Sequence, residues 1–573
     1  CELRKLGLPL LNISIGNPYS NPHVGRPYDW PIKTMNPPPE HPLFGIDRFF
    51  GIIRDVQQVN AELPVIATGF AWLRQFMPNV AAPMIDQGWA TLIGQGRGSF
   101  AYPDAVRDIL ESGRMQPDKC CVTCSACTQI MRDGGKTGCV VHDSKIYGPQ
   151  YRLARRYSLD RLLGEVERCR QCEEAACARG CPAHIDIPAF LKAFADQDIA
   201  RAYDILREKN PLPEMCGYVC PAADQCQGAC LENIFCEHPV PIQDIQLFVA
   251  RTARLQGLAG VRLPEKTTGR SLAVVGGGPA GIARAIRALE NGDTVTIIEK
   301  NEKLGGVPDS TIPEERYGDA DAEVEAIFQP ALDADRLQLR CNTRFGQDVT
   351  LDELRNEFDE VFIGLGLTGS TSLKQKTDKI EGIENALRFL ATAKRGEVTQ
   401  IPKRVAVLGG GNTAMDAAST AKRLGAQDVY VVYRRSFKEM PAWDAERNEC
   451  LDAGVHFLVL NQPMGYDSDA EGRVCGVRIA RTELGEPDAS GRRRPKVLEE
   501  TENTLAVDLV IEAIGQNVPQ RMKDALPGIE FTERGLIQVD PETGQTSLEN
   551  VFAAGDMVNG GTTAVAAIAE ALL

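Results

Sequence analysis

Two strand–glycine-turn–helix fingerprints, two tight cysteine clusters and an N-terminal run of βα units predict a multidomain α/β chain. The expected order is a partial TIM barrel, a helical domain built around thiols, and two nested Rossmann-like dinucleotide-binding domains. The 573 residues suffice for about three or four domains, each with its own core. A content of 43% hydrophobic and 25% charged residues is that of an ordinary globular protein. No apolar run reaches the roughly 18 residues of a membrane span. The first residues lack a basic segment, an apolar stretch and a small-residue cleavage site, so no secretory signal is read. A net charge of −15 argues against nucleic acid or an anionic membrane as the main partner.

The N-terminal expectation rests on three short apolar strands, residues 8–16, 64–69 and 90–96. Helical patterns follow around 46–60, 71–87 and 103–112. Repeated βα units imply a parallel sheet, and three of them cannot close an eight-stranded barrel. Residues 1–118 therefore read as the C-terminal part of one. The chain starts at Cys1 and stops at Leu573 inside an alanine-rich helical run, so it is expected to be truncated at both ends.

Of eighteen cysteines, fourteen concentrate at 120–139 and 169–236; Cys1, Cys341, Cys450 and Cys475 lie outside these clusters. Tight clusters without an export signal read as metal ligands rather than disulfides, in a cytoplasmic protein. The first cluster, Cys121, Cys124, Cys127 and Cys139, suits iron–sulfur or zinc, and falls in a loop at 119–145. The second runs Cys169, Cys172, Cys177, Cys181-Pro182, then Cys220-Pro221, Cys226 and Cys230, in a helical domain at 146–265. Four close cysteines ending in Cys-Pro follow the ferredoxin plan, in which the fourth serves the other cluster. Seven thiolates nearly satisfy two Cys₄ clusters. Cys216 and Cys236 are left over and read as small buried residues.

The strand Ser271–Val275 leads into Gly276, Gly278 and Gly281 at the start of a helix, and the next strand ends at Glu299. The first glycine makes a tight turn, the second admits a pyrophosphate, and the third lets helix and strand pack closely. The acid suits ribose hydroxyls. Gly305 joins this set as a further backbone contact. The second fingerprint has Gly409, Gly411, Asn412 and Ala414, and its next strand ends in Arg434 and Arg435. Cations there suit the 2′-phosphate of NADPH rather than the 2′-OH of NADH, although they could simply solvate a strand end. Two such folds, the second inserted in the first, resemble the plan of two-dinucleotide flavoproteins. VFAAGDMVNGG (551–561) resembles the element in which an Asp, here Asp556, meets FAD. The resemblance implies FAD binding by 266–395 plus 505–573 and NADPH binding by 396–504.

Residues 160–573 resemble the small subunit of glutamate synthase and the matching segment of dihydropyrimidine dehydrogenase. The resemblance implies two 4Fe-4S clusters, one on Cys169, Cys172, Cys177 and Cys230, the other on Cys181, Cys220, Cys226 and Gln246. Residues 1–145 resemble the C-terminal part of iron–sulfur members of the old yellow enzyme superfamily. That likeness implies a third cluster on Cys121, Cys124, Cys127 and Cys139, and an FMN phosphate at Gly69, Gly96 and Arg97. The segment 308–319 departs from the usual small-subunit pattern. The implied activity is NADPH-dependent reduction of an activated C=C bond through FAD, clusters and FMN. The alternative is electron supply to a separate catalytic subunit, and an oligomer is expected. No side-chain acid or base is singled out as catalytic, because hydride transfer to a flavin needs only stacked rings.

Overall fold

A computed structural model describes residues 7–13, 24, 40–59, 61–132, 136–314, 316–318, 320–373, 380–487 and 493–573. They fall into two compact units, Cys1–Gly164 and Glu165–Leu573.

In the first unit three strands, Leu11–Asn12, Val65–Ala67 and Leu92–Ile93, pair in parallel in that order. They are shorter than the sequence suggests, and positions 14–16 of the first expected strand lie outside the described residues. Helix Pro42–Val59 buries Ile46, Phe49, Phe50 and Ile53, the i, i+3, i+4, i+7 stripe of a helix lying on a sheet. Buried Gln57 ties the two together. It accepts from Val65 N (3.1 Å) and donates to Leu63 O (3.1 Å). The pattern at 71–87 divides into a 3-10 turn, Phe70–Phe76, and a helix, Met77–Asp86, because Arg74 takes positive φ.

The second unit begins with the thiol-bearing helical part. The helical run expected at 188–208 is two helices, Ile187–Ala195 and Ile199–Lys209. Each starts on an aspartate: Asp186 accepts from Ala189 N and Asp198 from Arg201 N. Pro213–Val219 and Ile242–Leu255 complete the bundle around Phe190, Phe194, Leu206, Met215 and Ile245.

Two five-stranded parallel sheets follow. The first has the order Val551–Ala553, Glu360–Ile363, Ser271–Val275, Thr294–Ile298, Leu337–Arg340. Its closing strand thus comes from near the C-terminus, in register through Val551↔Val361. The second has the order His456–Val459, Asp428–Tyr433, Arg404–Leu408, Leu509–Glu512, Ile383–Asn385. Such near-continuous Val/Ile/Leu strands are buried on both faces, as parallel sheets require. An antiparallel meander, Asn461–Ser468, Val474–Pro487 and Arg493–Val497, with Asn503–Ala506 beside its middle strand, packs on this second sheet.

All five strands of the second sheet lie in the chain between Glu360–Ile363 and Val551–Ala553 of the first. Ile383–Asn385 and Leu509–Glu512, assigned from sequence to the FAD side, hydrogen-bond into the second sheet. Ala386, Phe389 and Leu390 pack in the same core as Val405 and Ala414. Short apolar strands flanking an insertion look alike in sequence, and only pairing assigns them.

Candidate functional site

The first glycine turn joins Ser271–Val275 to helix Pro279–Asn291. A Cβ on Gly281 would lie 1.9 Å from Gly276 O, so helix and strand touch backbone to backbone here. At Gly278 the nearest atom to such a Cβ is 3.8 Å away, leaving room above the helix N-terminus for a pyrophosphate. Gly305 is brought to the same turn, its N–H donating to Gly277 O at 2.8 Å. Glu299, buried, accepts from Gly277 N (2.8 Å) and Asn301 N (2.9 Å). Its carboxylate braces the turn, a role the sequence reading did not include. Asp556 begins a short turn, and a Cβ added at the preceding Gly555 would lie 3.2 Å from Ala280 Cβ. Burial pushes its carboxyl up, and the Thr562 N–H pulls it back.

The second turn repeats the plan. Gly411 has open space over the start of helix Asn412–Arg423, and Ala414 is fully buried. Residues 442–443 close over it: Ala442 N donates to Gly410 O (3.0 Å) and Trp443 N to Asn412 Oδ1 (3.0 Å). The two arginines part ways. Arg434 is exposed, whereas Arg435 Nε donates to Arg493 O at 2.9 Å.

Cys169, Cys172, Cys177 and Cys230 line one cleft, with Pro188 and Leu191 among its apolar walls. Burial pushes the Cys177 thiol up to about 11, and the neighbouring Cys230, Cys169 and Cys172 push it the same way. Cys181, Cys220 and Cys226 form a second group. Burial pushes Cys226 up to about 12, with Cys181 adding to it. Cys220 is pushed well up, first by a bond to Cys216 and then by burial. Crowded, desolvated thiols are a poor place for bare thiolates, and a cationic iron–sulfur core reverses that balance. Cys181 also accepts N–H bonds from Ala183, His184 and Ile185, a common way of tuning cluster sulfur.

Gln246, buried, donates Nε2 to Pro213 O at 2.8 Å, which leaves Oε1 as its only atom able to ligate iron. Cys216, set aside in the sequence reading, is buried against Cys220. Cys236, expected to be buried, is exposed at the end of helix Leu231–Cys236. The second thiol group is tied to the last helix of the first sheet's domain: Gln225 Nε2 donates to Thr563 Oγ1 at 3.4 Å. Tyr218 and Tyr317 meet with centroids 5.3 Å apart. Neither link has a sequence signal, since each joins residues far apart in the chain.

In the first unit Cys121 senses Arg97, Cys127 and Cys124, and burial pushes its thiol up. Arg97 Nη1 donates to Ser125 Oγ (3.2 Å), so this predicted phosphate contact also braces the cysteine loop. Thr137 bonds to Cys127 O, joining the arm that carries Cys139. Cys139 Sγ accepts from His142 N at 3.3 Å. Gly69 has positive φ, packed where a Cβ would meet Phe49, and Gly96 is open. Among the described residues no three His, Cys, Asp or Glu side chains converge on a point that would hold one metal ion.

Residues 270–571 match the family described as pyridine nucleotide-disulphide oxidoreductase, and residues 150–258 match dihydropyrimidine dehydrogenase domain II, 4Fe-4S cluster. The chain is 34% identical over 430 residues to the glutamate synthase (NADPH) small chain of Escherichia coli (strain K12), covering 72% of this chain and 90% of that one. It is 35% identical over 422 residues to the NADP(+)-dependent formate dehydrogenase subunit beta of Moorella thermoacetica, covering 69% of this chain and 58% of that one. Among solved structures, FprA from Mycobacterium tuberculosis superposes with a TM-score of 0.44 at 19% identity, over 53% of this chain and 83% of that one.

Proposed function

The chain belongs to the pyridine nucleotide-disulphide oxidoreductase family and is an NADPH-dependent flavin and iron–sulfur oxidoreductase close to the glutamate synthase small chain, and from that premise we propose that it is an electron-input module. FAD, when bound, supplies the conversion between a two-electron hydride and the single electrons that 4Fe-4S clusters carry. Gly276, Gly278, Gly281 and Gly305 hold its pyrophosphate, with Asp556 and Glu299 at the same turn. Gly409, Gly411, Asn412 and Ala414 hold NADPH, and Arg434 takes the 2′-phosphate. Cys169, Cys172, Cys177 and Cys230 ligate one cluster; Cys181, Cys220, Cys226 and Gln246 Oε1 ligate the other.

The observation that carries this reading is the junction of thiols and flavin domain. Gln225 lies between Cys220 and Cys226, and its bond to Thr563, next to the Thr562 whose N–H meets Asp556, favours a thiol group close to the flavin. A short path matters more than any acid or base, because electron flow needs proximity rather than proton transfer.

The finer reading gives residues 1–145 a third cluster and an FMN phosphate at Gly69, Gly96 and Arg97, for an activated C=C substrate. The parallel βα sheet and the Arg97–Ser125 bond favour it. The alternative acceptor is a catalytic partner subunit in a larger cytoplasmic oligomer. No described helix is long and apolar enough to cross a membrane.

Anaerobic purification tests the core of the proposal. The protein should hold FAD, carry about eight irons with equal labile sulfide, or about twelve with the third cluster, and bleach on adding NADPH. Zinc without sulfide, or a flavin that NADPH leaves oxidised, would overturn it.

A further inference from the structure

From Gly305 at the first glycine turn the described chain runs to residue 314, and just beyond it Arg316 reaches into the NADPH-binding domain. Its guanidinium donates to Asp416 Oδ1 at 2.7 Å and pairs with Glu446 Oε1 at 2.8 Å. Asp416 lies on Asn412–Arg423, the helix that springs from the second glycine turn, and Glu446 on Asp444–Asp452. The second of these helices follows directly from residues 442–443, which close over Gly410 and Asn412. One cation thus holds both elements that frame the nicotinamide nucleotide grip.

Its own segment is anchored at either end. Gly305 N donates to Gly277 O (2.8 Å) at the flavin-side turn, and Lys394 Nζ donates to Pro308 O (3.2 Å) and Tyr317 O (3.0 Å). Arg316, Asp416, Glu446 and Glu449 line one cleft. There Glu446 Oε2 is buried with no hydrogen-bond partner. A half-satisfied buried carboxylate is costly, so Arg316 is the group that makes this charge tolerable.

We propose that Arg316 is a positioning residue for hydride transfer: by pairing with Asp416 and Glu446 it sets the NADPH-binding domain on the flavin domain, and its hold slackens when Glu446 takes up a proton. The inference rests on the function proposed above. The step it serves moves one hydride, two electrons, from NADPH to the bound flavin, with a proton taken from solvent and NADP⁺ left behind. Burial pushes the Glu446 carboxyl up to about 7; Arg316 pulls it down, and Asp416 and Glu449, which also face it, push it up. Arg423 faces the Asp416 side of the cluster. As pH falls through that value Glu446 loses its charge and Arg316 loses one of two anions. Hydride transfer should therefore be fastest above neutrality and decline below it.

Stopped-flow reduction of the FAD-loaded protein, at saturating NADPH across this pH range, tests the proposal, with NADPH affinity measured separately. Glu446→Gln should lower the rate about tenfold above pH 7 and abolish the pH inflection, with FAD content and NADPH affinity unchanged. Arg316→Gln should do the same, and Arg316→Lys should recover part of the rate. A Glu446→Gln protein with the parent's rate, or with the parent's inflection, overturns the inference. Should Arg316→Gln fail to fold, Glu446→Gln and Arg316→Lys carry the same decision. If NADPH does not reduce the parent protein's flavin at all, it is the proposed function that fails instead.

Discussion

Arg434 and Arg435 stand side by side in sequence and do different work. Arg435 is committed to the Arg493 carbonyl, while Arg434 is exposed at the strand end where a 2′-phosphate would lie. Arg434→Ala should weaken NADPH binding roughly tenfold to a hundredfold, the worth of a charge-assisted phosphate bond. It should leave NADH untouched, and Arg435→Ala should matter less; titration calorimetry with both nucleotides checks this. Equal losses for NADPH and NADH would remove the phosphate role. The glycines make an equally sharp contrast. Gly281→Ala drives a Cβ into Gly276 O and should yield flavin-free, poorly folded protein. Gly278→Ala meets no such clash and should fold, yet hold FAD weakly. Absorbance per folded protein separates the two. Such glycines are legible in sequence because their partners lie within a few positions. The tie between Arg435 and Arg493 is not, because strand pairing alone brings them together.

Among the elements, helix Pro213–Val219 shows how a buried charge is shared between domains. Glu323 is 1% exposed, and its oxygens accept from Glu214 N and Met215 N at 2.7 Å each. Burial pushes its carboxyl up to about 8; the charge of Glu214 adds, while the two N–H groups and Arg254 oppose. The folded state therefore binds this proton more tightly than the unfolded chain. The resulting stability is complete below the unfolded value of 4.5 and is lost as pH rises through about 8. Melting temperature should fall between mildly acidic and mildly alkaline pH, and Glu323→Gln should flatten that fall; an unchanged slope would clear Glu323. The cysteine spacing was legible, whereas this cap was not, since nothing near Glu323 in sequence hints at a helix from another domain. The break between the two aspartate-capped helices was missed for the opposite reason: the apolar period runs on across Asp196, Gln197 and Asp198. Interleaving predicts that Cys177→Ser and Cys226→Ser each remove about four irons and spare the other cluster, as iron analysis and electron paramagnetic resonance would register.

For the whole molecule, division into Cys1–Gly164 and Glu165–Leu573 predicts separable activities. A protein of residues 165–573 should keep FAD and NADPH-driven dye reduction; a folded, FAD-loaded fragment that NADPH cannot reduce would contradict the modular plan. That the chain holds two dinucleotide folds was legible, because the fingerprint occurs twice. Its seams were not, because Ile383–Asn385 and Leu509–Glu512 are ordinary short strands until a sheet claims them. The place of Val551–Ala553 beside Glu360–Ile363 governs the order of events during synthesis. A ribosome releases the first four strands of the flavin sheet, then the whole inserted domain, before the strand that completes it emerges. Flavin capture should therefore wait until Val551–Ala553 has paired with Glu360–Ile363. A polypeptide stalled short of that strand carries an open sheet edge along Glu360–Ile363 and lacks Asp556.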